Sequence, residues 1–194
     1  MMLERGADEL LDHLRRVFPP TPAGPFLDRR LGRAFAFQAL YEMDQGHHAP
    51  EQVLERLCGS FAEDGPEPYS AELLDSATEY ARQLARGVLA NRPAIDAIIQ
   101  QRAPLWPLAQ MSAVDRNVLR IGLYESFYGN ATVPLRTAIN EAVELAKLFG
   151  SETSAKFVNG VLGRAVEANA TGQASHVDLP AIPRHAPVDE ERGF

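Results

Sequence analysis

Apolar positions recur on a helical period along most of the chain. Leu10, Leu11, Leu14, Val17 and Phe18 share one face of a helix over 7–18. The run Pro19-Pro20-Thr21-Pro22-Ala23-Gly24-Pro25 ends it and predicts a semi-rigid linker. Asp28 is placed to cap a helix that runs to about Asp44 and closes at Gly46. Between Ala34 and Met43 this helix is nearly apolar all round, broken by Gln38 and Glu42, so it is expected to cross the middle of a bundle. A second helix covers about 50–62. Ser70 caps a third, whose Leu74, Ala77, Ala81, Leu84 and Val88 alternate by threes and fours. Pro93 suits the first turn of a fourth, with Ile95, Ile98 and Ile99 facing inward.

Pro104 and Pro107 then bracket Trp106 in a connector. Ser112 caps a fifth helix with Val114, Val118, Ile121 and Tyr128 on one stripe. Pro134 opens a sixth, with Ile139, Ala142, Val143, Ala146 and Phe149 inward and Gly150 as its stop. A seventh spans about 154–168. Gly160 and Gly163 lie inside it and predict close approach of a neighbouring helix, since glycine otherwise costs about 1 kcal/mol there. With short loops and no strand pattern, the fold class is all-α, an antiparallel arrangement of helices. Residues 1–27 read as an extension with a proline-rich linker and 28–169 as the working domain. Residues 170–194, aperiodic and holding Pro180, Pro183 and Pro187, read as a disordered tail. Both ends are expected to be dispensable for folding, the N-terminal one unless its apolar face docks on the body.

Composition narrows the class. Of 194 residues 45% are apolar, enough for a sizeable core. Cys58 is the only cysteine, which rules out an internal disulfide and fits a reducing compartment. No run is long and apolar enough for a signal peptide or a membrane span, so a cytoplasmic protein is expected. The net charge of −7 argues at first against nucleic acid, but its distribution does not. Residues 44–80 carry nine acids against one base, whereas residues 81–170 carry ten bases against seven acids. A local basic site can hold phosphates on an otherwise acidic surface.

Catalytic chemistry finds little support. No glycine-rich phosphate loop follows a strand. His13, His47, His48, His176 and His185 lie mostly in the tails or a turn, and the His47-His48 pair is poorly spaced for one metal. Glu141 and Glu144 sit one turn apart, but Lys147 follows at i+3, and a charged solvent face is the better reading. No enzyme activity, metal or cofactor is expected.

Binding chemistry is better represented. Arg29, Arg30 and Arg33 fall on one side of a helix start and make a compact phosphate site. Cations oppose the dipole there, which suggests they are kept for a ligand; a solvated basic end is the competing reading. Phe157 shares a stripe with Val161 and Ala165, a core pattern, yet stands beside Lys156 at a helix start, where single-stranded bases stack on aromatics. Lys156 reads equally as a solvated side chain. Tyr41 reads as core or as a surface residue. Asp115 favours the dipole of the fifth helix, and Arg116 and Arg120 are surface or partner residues.

Three stretches also carry a resemblance. Arg29-Arg30-Leu31-Gly32-Arg33-Ala34-Phe35-Ala36-Phe37-Gln38-Ala39-Leu40-Tyr41 is one. Val114-Asp115-Arg116-Asn117-Val118-Leu119-Arg120-Ile121-Gly122-Leu123-Tyr124-Glu125 is the second. The third runs from Val133-Pro134-Leu135-Arg136-Thr137-Ala138-Ile139-Asn140-Glu141 to Phe149-Gly150, continued by Lys156-Phe157-Val158-Asn159-Gly160. Together they closely resemble the NusB family over residues 28–168. The resemblance implies a seven-helix fold in two small bundles. It further implies a transcription antitermination factor that binds boxA RNA of nascent ribosomal RNA with the ribosomal protein NusE, within an RNA polymerase complex.

On the matching positions it implies RNA contact by Arg29, Arg30, Arg33, Tyr41, Lys156 and Phe157, and a NusE contact by Asp115. Ala34 and Thr153 depart from the family, which often has acidic residues there. NusB-like domains also occur fused to RNA cytosine methyltransferases, but the chain is too short for that catalytic domain. A purely protein-binding helical adaptor is the other alternative. The oligomeric state is left open, a homodimer included.

Overall fold

The computed structural model describes residues 7–19, 26–46, 48–63, 69–129 and 133–170. The linker at 20–25, His47 and the tail from 171 onward, with His176 and His185, lie outside the described residues. Eight α-helices are present among the described residues: α1 (Ala7–Val17), α2 (Leu27–Asp44), α3 (Pro50–Glu63), α4 (Ala71–Ala90), α5 (Arg92–Arg102), α6 (Ala113–Leu123), α7 (Leu135–Phe149) and α8 (Ser154–Ala170). Helices α2 to α8 are the seven predicted from the pattern, and no strand occurs among the described residues. One turn of π-helix, Tyr124–Tyr128, prolongs α6 where the stripe ending at Tyr128 predicts continued α-helix. No helix among the described residues is long and apolar enough to cross a membrane.

The apolar α2 becomes the central helix. Every residue from Leu31 to Leu40 is buried, against α4 and α3 on one side and α6 on another. Helices α6, α7 and α8 pack together as a second bundle, with α5 against α6 and α8. Phe35 meets Phe61 edge-on at 5.1 Å, and Phe37 stacks on Phe149 at 4.3 Å, so the aromatics of α2 tie both bundles together.

Close helix approach occurs at glycines other than those expected. A Cβ on Gly32 would lie 2.6 Å from the Ala77 carbonyl oxygen of α4, and one on Gly122 would lie 3.0 Å from Ala142 and Leu162. In contrast, nothing lies within 4 Å of a Cβ on Gly163, and only the end of Arg164, at 3.8 Å, approaches Gly160. The crowded surfaces belong to the central helices, whereas these two glycines of α8 have no described helix over them.

The caps are mostly those the sequence announces. Ser70 accepts from the Leu73 amide at 3.2 Å, and Ser112 from the Asp115 amide at 3.0 Å. Asp28 departs from its expected role. Helix α2 begins at Leu27, after Phe26 in a left-handed conformation (φ 61°), with no side-chain cap. Asp28 lies in the first turn, where it favours the helix dipole and accepts a hydrogen bond from Ser76 of α4 at 2.7 Å.

The N-terminal helix is not a detached appendage. Leu14 is 0% and Phe18 5% exposed, both within the main core. The Tyr69 hydroxyl donates to the Phe18 carbonyl at 2.6 Å, and Arg15 donates to the Ser60 carbonyl at 2.6 Å. These contacts show the apolar face of α1 docked on the body, so deletion of residues 1–25 is a direct test of the expectation that they are dispensable for folding.

Candidate nucleic-acid interface

The three arginines at the start of α2 divide by direction. Arg33 points inward and is only 3% exposed. Its Nε and Nη2 donate to the two carboxylate oxygens of Glu125, each at 2.9 Å, and Nη1 reaches Glu141 at 3.4 Å. Tyr80 donates its hydroxyl to the same Glu125. Burial disfavours the Arg33 cation, but the bond and charge of Glu125 outweigh it and raise its pKa. Burial, with Glu125 beside it, likewise pushes the Tyr80 phenol well above its ordinary value. Arg33 therefore offers no free guanidinium to a phosphate.

Arg29 and Arg30 stay at the surface, near half exposed. Arg29 lies over the Tyr80 ring at 4.3 Å and 4.0 Å from Asp28. Arg30 lies 3.7 Å from Glu141, with Phe18 beneath it at 5.6 Å. Both pairs are solvated and weak, so the cations can exchange partners.

A second buried network decides Arg116 and Arg120, which the sequence left open. Arg120, 2% exposed, donates to Asp96 at 2.8 and 2.9 Å and to Asp44 at 2.9 Å. Arg116 donates to Asp44 and to the carbonyls of Leu108 and Met111. Burial would raise the Asp44 pKa, but Arg120, Arg116 and Asn117 hold it below the usual carboxylate range. The network anchors the start of α6, where Asp115 is half-buried in the first turn. Asp115 forms no ion pair with a described residue, and its Oδ1 has no hydrogen-bond partner among them. Tyr41 is half-buried on the core, tilted against Phe37 at 6.0 Å.

Lys156 and Phe157 open onto a groove of about 1000 Å³ between the end of α5 and the outer face of α8. Phe157 is neither fully core nor free: it packs against the core and makes an edge-to-face contact with Trp106, ring centroids 6.1 Å apart. Arg102, Trp106 and Arg164 line the same groove, and nothing in their spacing along the chain marks them as a site. Arg164 donates to the Arg102 carbonyl at 2.9 Å, across 62 residues of chain. Arg102, Lys156 and Arg164 form no ion pair with any described carboxylate, unlike Arg29, Arg30, Arg33, Arg116 and Arg120.

The structure does not gather the expected RNA residues into one pocket. Lys156 and Phe157 share this groove, Arg29 lines a hollow beside Tyr80 and Tyr124, and Arg30 lines a notch beside Phe18 and Lys147. Tyr41 lines none of these three. Among the described residues no group of His, Cys, Asp and Glu is placed to hold a metal ion.

Comparison with known proteins gives this arrangement a context. The chain is 46% identical over 135 residues to the transcription antitermination protein NusB of Chloroflexus aggregans, covering 69% of this chain and 83% of that protein. It is 42% identical to the NusB of Roseiflexus sp. over 139 residues, covering 71% and 91%. The fold superposes on the solved T. maritima NusB with a TM-score of 0.58 at 36% identity, covering 72% of this chain and 90% of that one. A crystal structure of the antitermination factors NusB and NusE in complex with double-stranded RNA matches with a TM-score of 0.60 at 26% identity, covering 74% and 98%. The NusB family model matches residues 30–167, and the chain belongs to the NusB family.

Proposed function

We propose that the protein is a transcription antitermination factor that binds single-stranded boxA RNA of nascent ribosomal RNA transcripts together with the ribosomal protein NusE. In this reading it acts by binding, without turnover, as part of an RNA polymerase complex in the cytoplasm. The observation that carries it is the groove in which Lys156, Arg102 and Arg164, none paired with a described carboxylate, surround Phe157. Cations without a described counter-charge, beside an accessible aromatic, suit a strand whose phosphates need charge and whose bases need a stacking surface. Membership of the NusB family supports the same reading.

Residues 28–169 are the RNA- and partner-binding unit. Arg29 and Arg30 serve the phosphates further along the strand, with Tyr41 near its path. Arg33 contributes indirectly, by holding α2 against Glu125. Asp115, exposed in part and without an ion pair to a described residue, is the contact to NusE. A titration of a boxA-like RNA and a scrambled control, with and without NusE, tests the proposal. Preference for boxA, strengthened by NusE and weakened by salt, is expected. Binding of NusE without any binding of RNA would leave only a protein adaptor and overturn it.

A further inference from the structure

We propose that Trp106 is a second base-stacking residue, which together with Phe157 seats an unstacked base of single-stranded RNA, while Arg102 and Arg164 hold the adjoining phosphates. This deepens the RNA-binding reading of the same groove and rests on it.

Trp106 is 58% exposed although it is the only tryptophan of the chain and among its largest apolar surfaces. It is not loosely displayed. Pro104 and Pro107 flank it, and its amide donates to the Ala103 carbonyl at 3.0 Å, so the turn presents the ring at a defined place. Its contact with Phe157 is edgewise, at an interplanar angle of 67°, and more than half of Trp106 stays exposed beside the groove that it lines. Two aromatic planes set steeply to one another make a corner, and a flat base can lie on one plane with its edge against the other.

The surroundings select the occupant. Arg102 and Arg164 line the groove without ion pairs to described residues, and the buried Nε of Arg102 has no hydrogen-bond partner among them. Gly160 keeps the floor low, since only Arg164 comes within 4 Å of the place a Cβ would take. An apolar peptide would cover these cations without neutralising them, at a desolvation cost. A phosphate-bearing strand satisfies both the cations and the rings. Arg102, Lys156 and Arg164 outnumber Glu167, the acidic residue of the lining, so the groove as a whole favours a phosphate-bearing strand.

Because Trp106 is the only tryptophan, its fluorescence reports on the groove without a label. The full chain, with NusE, is titrated with a boxA-like single-stranded RNA, following tryptophan emission and the anisotropy of labelled RNA in parallel. Quenching with the same midpoint as the anisotropy is expected. Trp106→Ala is expected to weaken binding roughly 5- to 100-fold with an unchanged salt slope, and Trp106→Phe to restore most of it. Arg102→Gln and Arg164→Gln are each expected to flatten the slope of log affinity against log salt by about 0.7. Normal RNA binding by Trp106→Ala with unmoved emission in the parent chain overturns the stacking seat while leaving the RNA-binding reading intact. Failure of every form to bind RNA overturns both. Emission that responds to deletion of residues 171–194 but not to RNA assigns the groove to the chain's own tail and also overturns the proposal. Trp106 is exposed, so an unchanged melting temperature in Trp106→Ala is expected and separates a binding defect from misfolding.

Discussion

Arg33 and Glu125, 92 residues apart, face each other through two parallel hydrogen bonds of 2.9 Å in the interior where α2 meets the π-turn after α6. Removing one partner strands the other as a buried charge. Arg33→Gln is therefore expected to lower unfolding free energy by about 3–5 kcal/mol. Arg29→Gln with Arg30→Gln is expected to leave melting nearly unchanged while flattening the RNA salt slope by about 0.7 for each phosphate no longer neutralised. Chemical denaturation and salt-dependent titration of the same samples check the division. A stable Arg33→Gln protein would refute the buried role.

Phe157 sits between core and groove, so both of its functions are open to one measurement. Phe157→Ala is expected to lose about 1–3 kcal/mol of RNA affinity, the stacking contribution. A stability loss near the roughly 3–5 kcal/mol of a fully buried phenylalanine would instead mark it as core. Melting and RNA binding of the same sample tell these apart.

Acid sensitivity should centre on Asp44. Its carboxyl is buried among Arg116, Arg120 and Asn117, and its folded pKa lies below the ordinary value of 3.8. The unfolded chain then binds the proton more tightly than the folded one. The stabilisation is complete above the unfolded pKa and is lost as pH falls through the folded pKa. Denaturant melts are expected to weaken as pH drops below about 4. Asp44→Asn is expected to be less stable at pH 7 and to show a shallower acid decline. An equally steep decline in that variant would exclude Asp44 as the source.

Glycine positions give a test with opposite signs. Gly32→Ala drives a methyl against the Ala77 carbonyl, a backbone atom that cannot move aside cheaply, and is expected to cost about 1–3 kcal/mol. Gly163→Ala meets open space within a helix and is expected to stabilise by about 0.5–1 kcal/mol. Equal effects in thermal melts would contradict the packing described.

Deleting residues 1–25 removes Leu14 and Phe18 from the core. Full burial of such side chains contributes about 1.5–3 kcal/mol each, so a clearly lower melting temperature is expected. An unchanged one would mean that α1 is a dispensable appendage after all.

The helices themselves are written in the local sequence. Apolar spacing, Ser70 and Ser112 as caps, and the unbroken apolar run of α2 each act within a turn or two, so they can be read without knowing the fold. The family block, its lysine and its phenylalanine are likewise legible as a linear pattern. What neighbours in sequence cannot convey is direction in space. Arg29, Arg30 and Arg33 look alike on one helix, yet only Arg33 is buried against a carboxylate brought in from another bundle. Arg116 and Arg120 look like surface charges until Asp44 and Asp96 close on them. The groove exists only because α8 returns beside the end of α5, which turns Trp106, Arg102 and Arg164 into neighbours of Phe157. Helix formation is decided by interactions over three or four residues, but the burial of a charge is decided by whichever distant chain segment arrives to neutralise it.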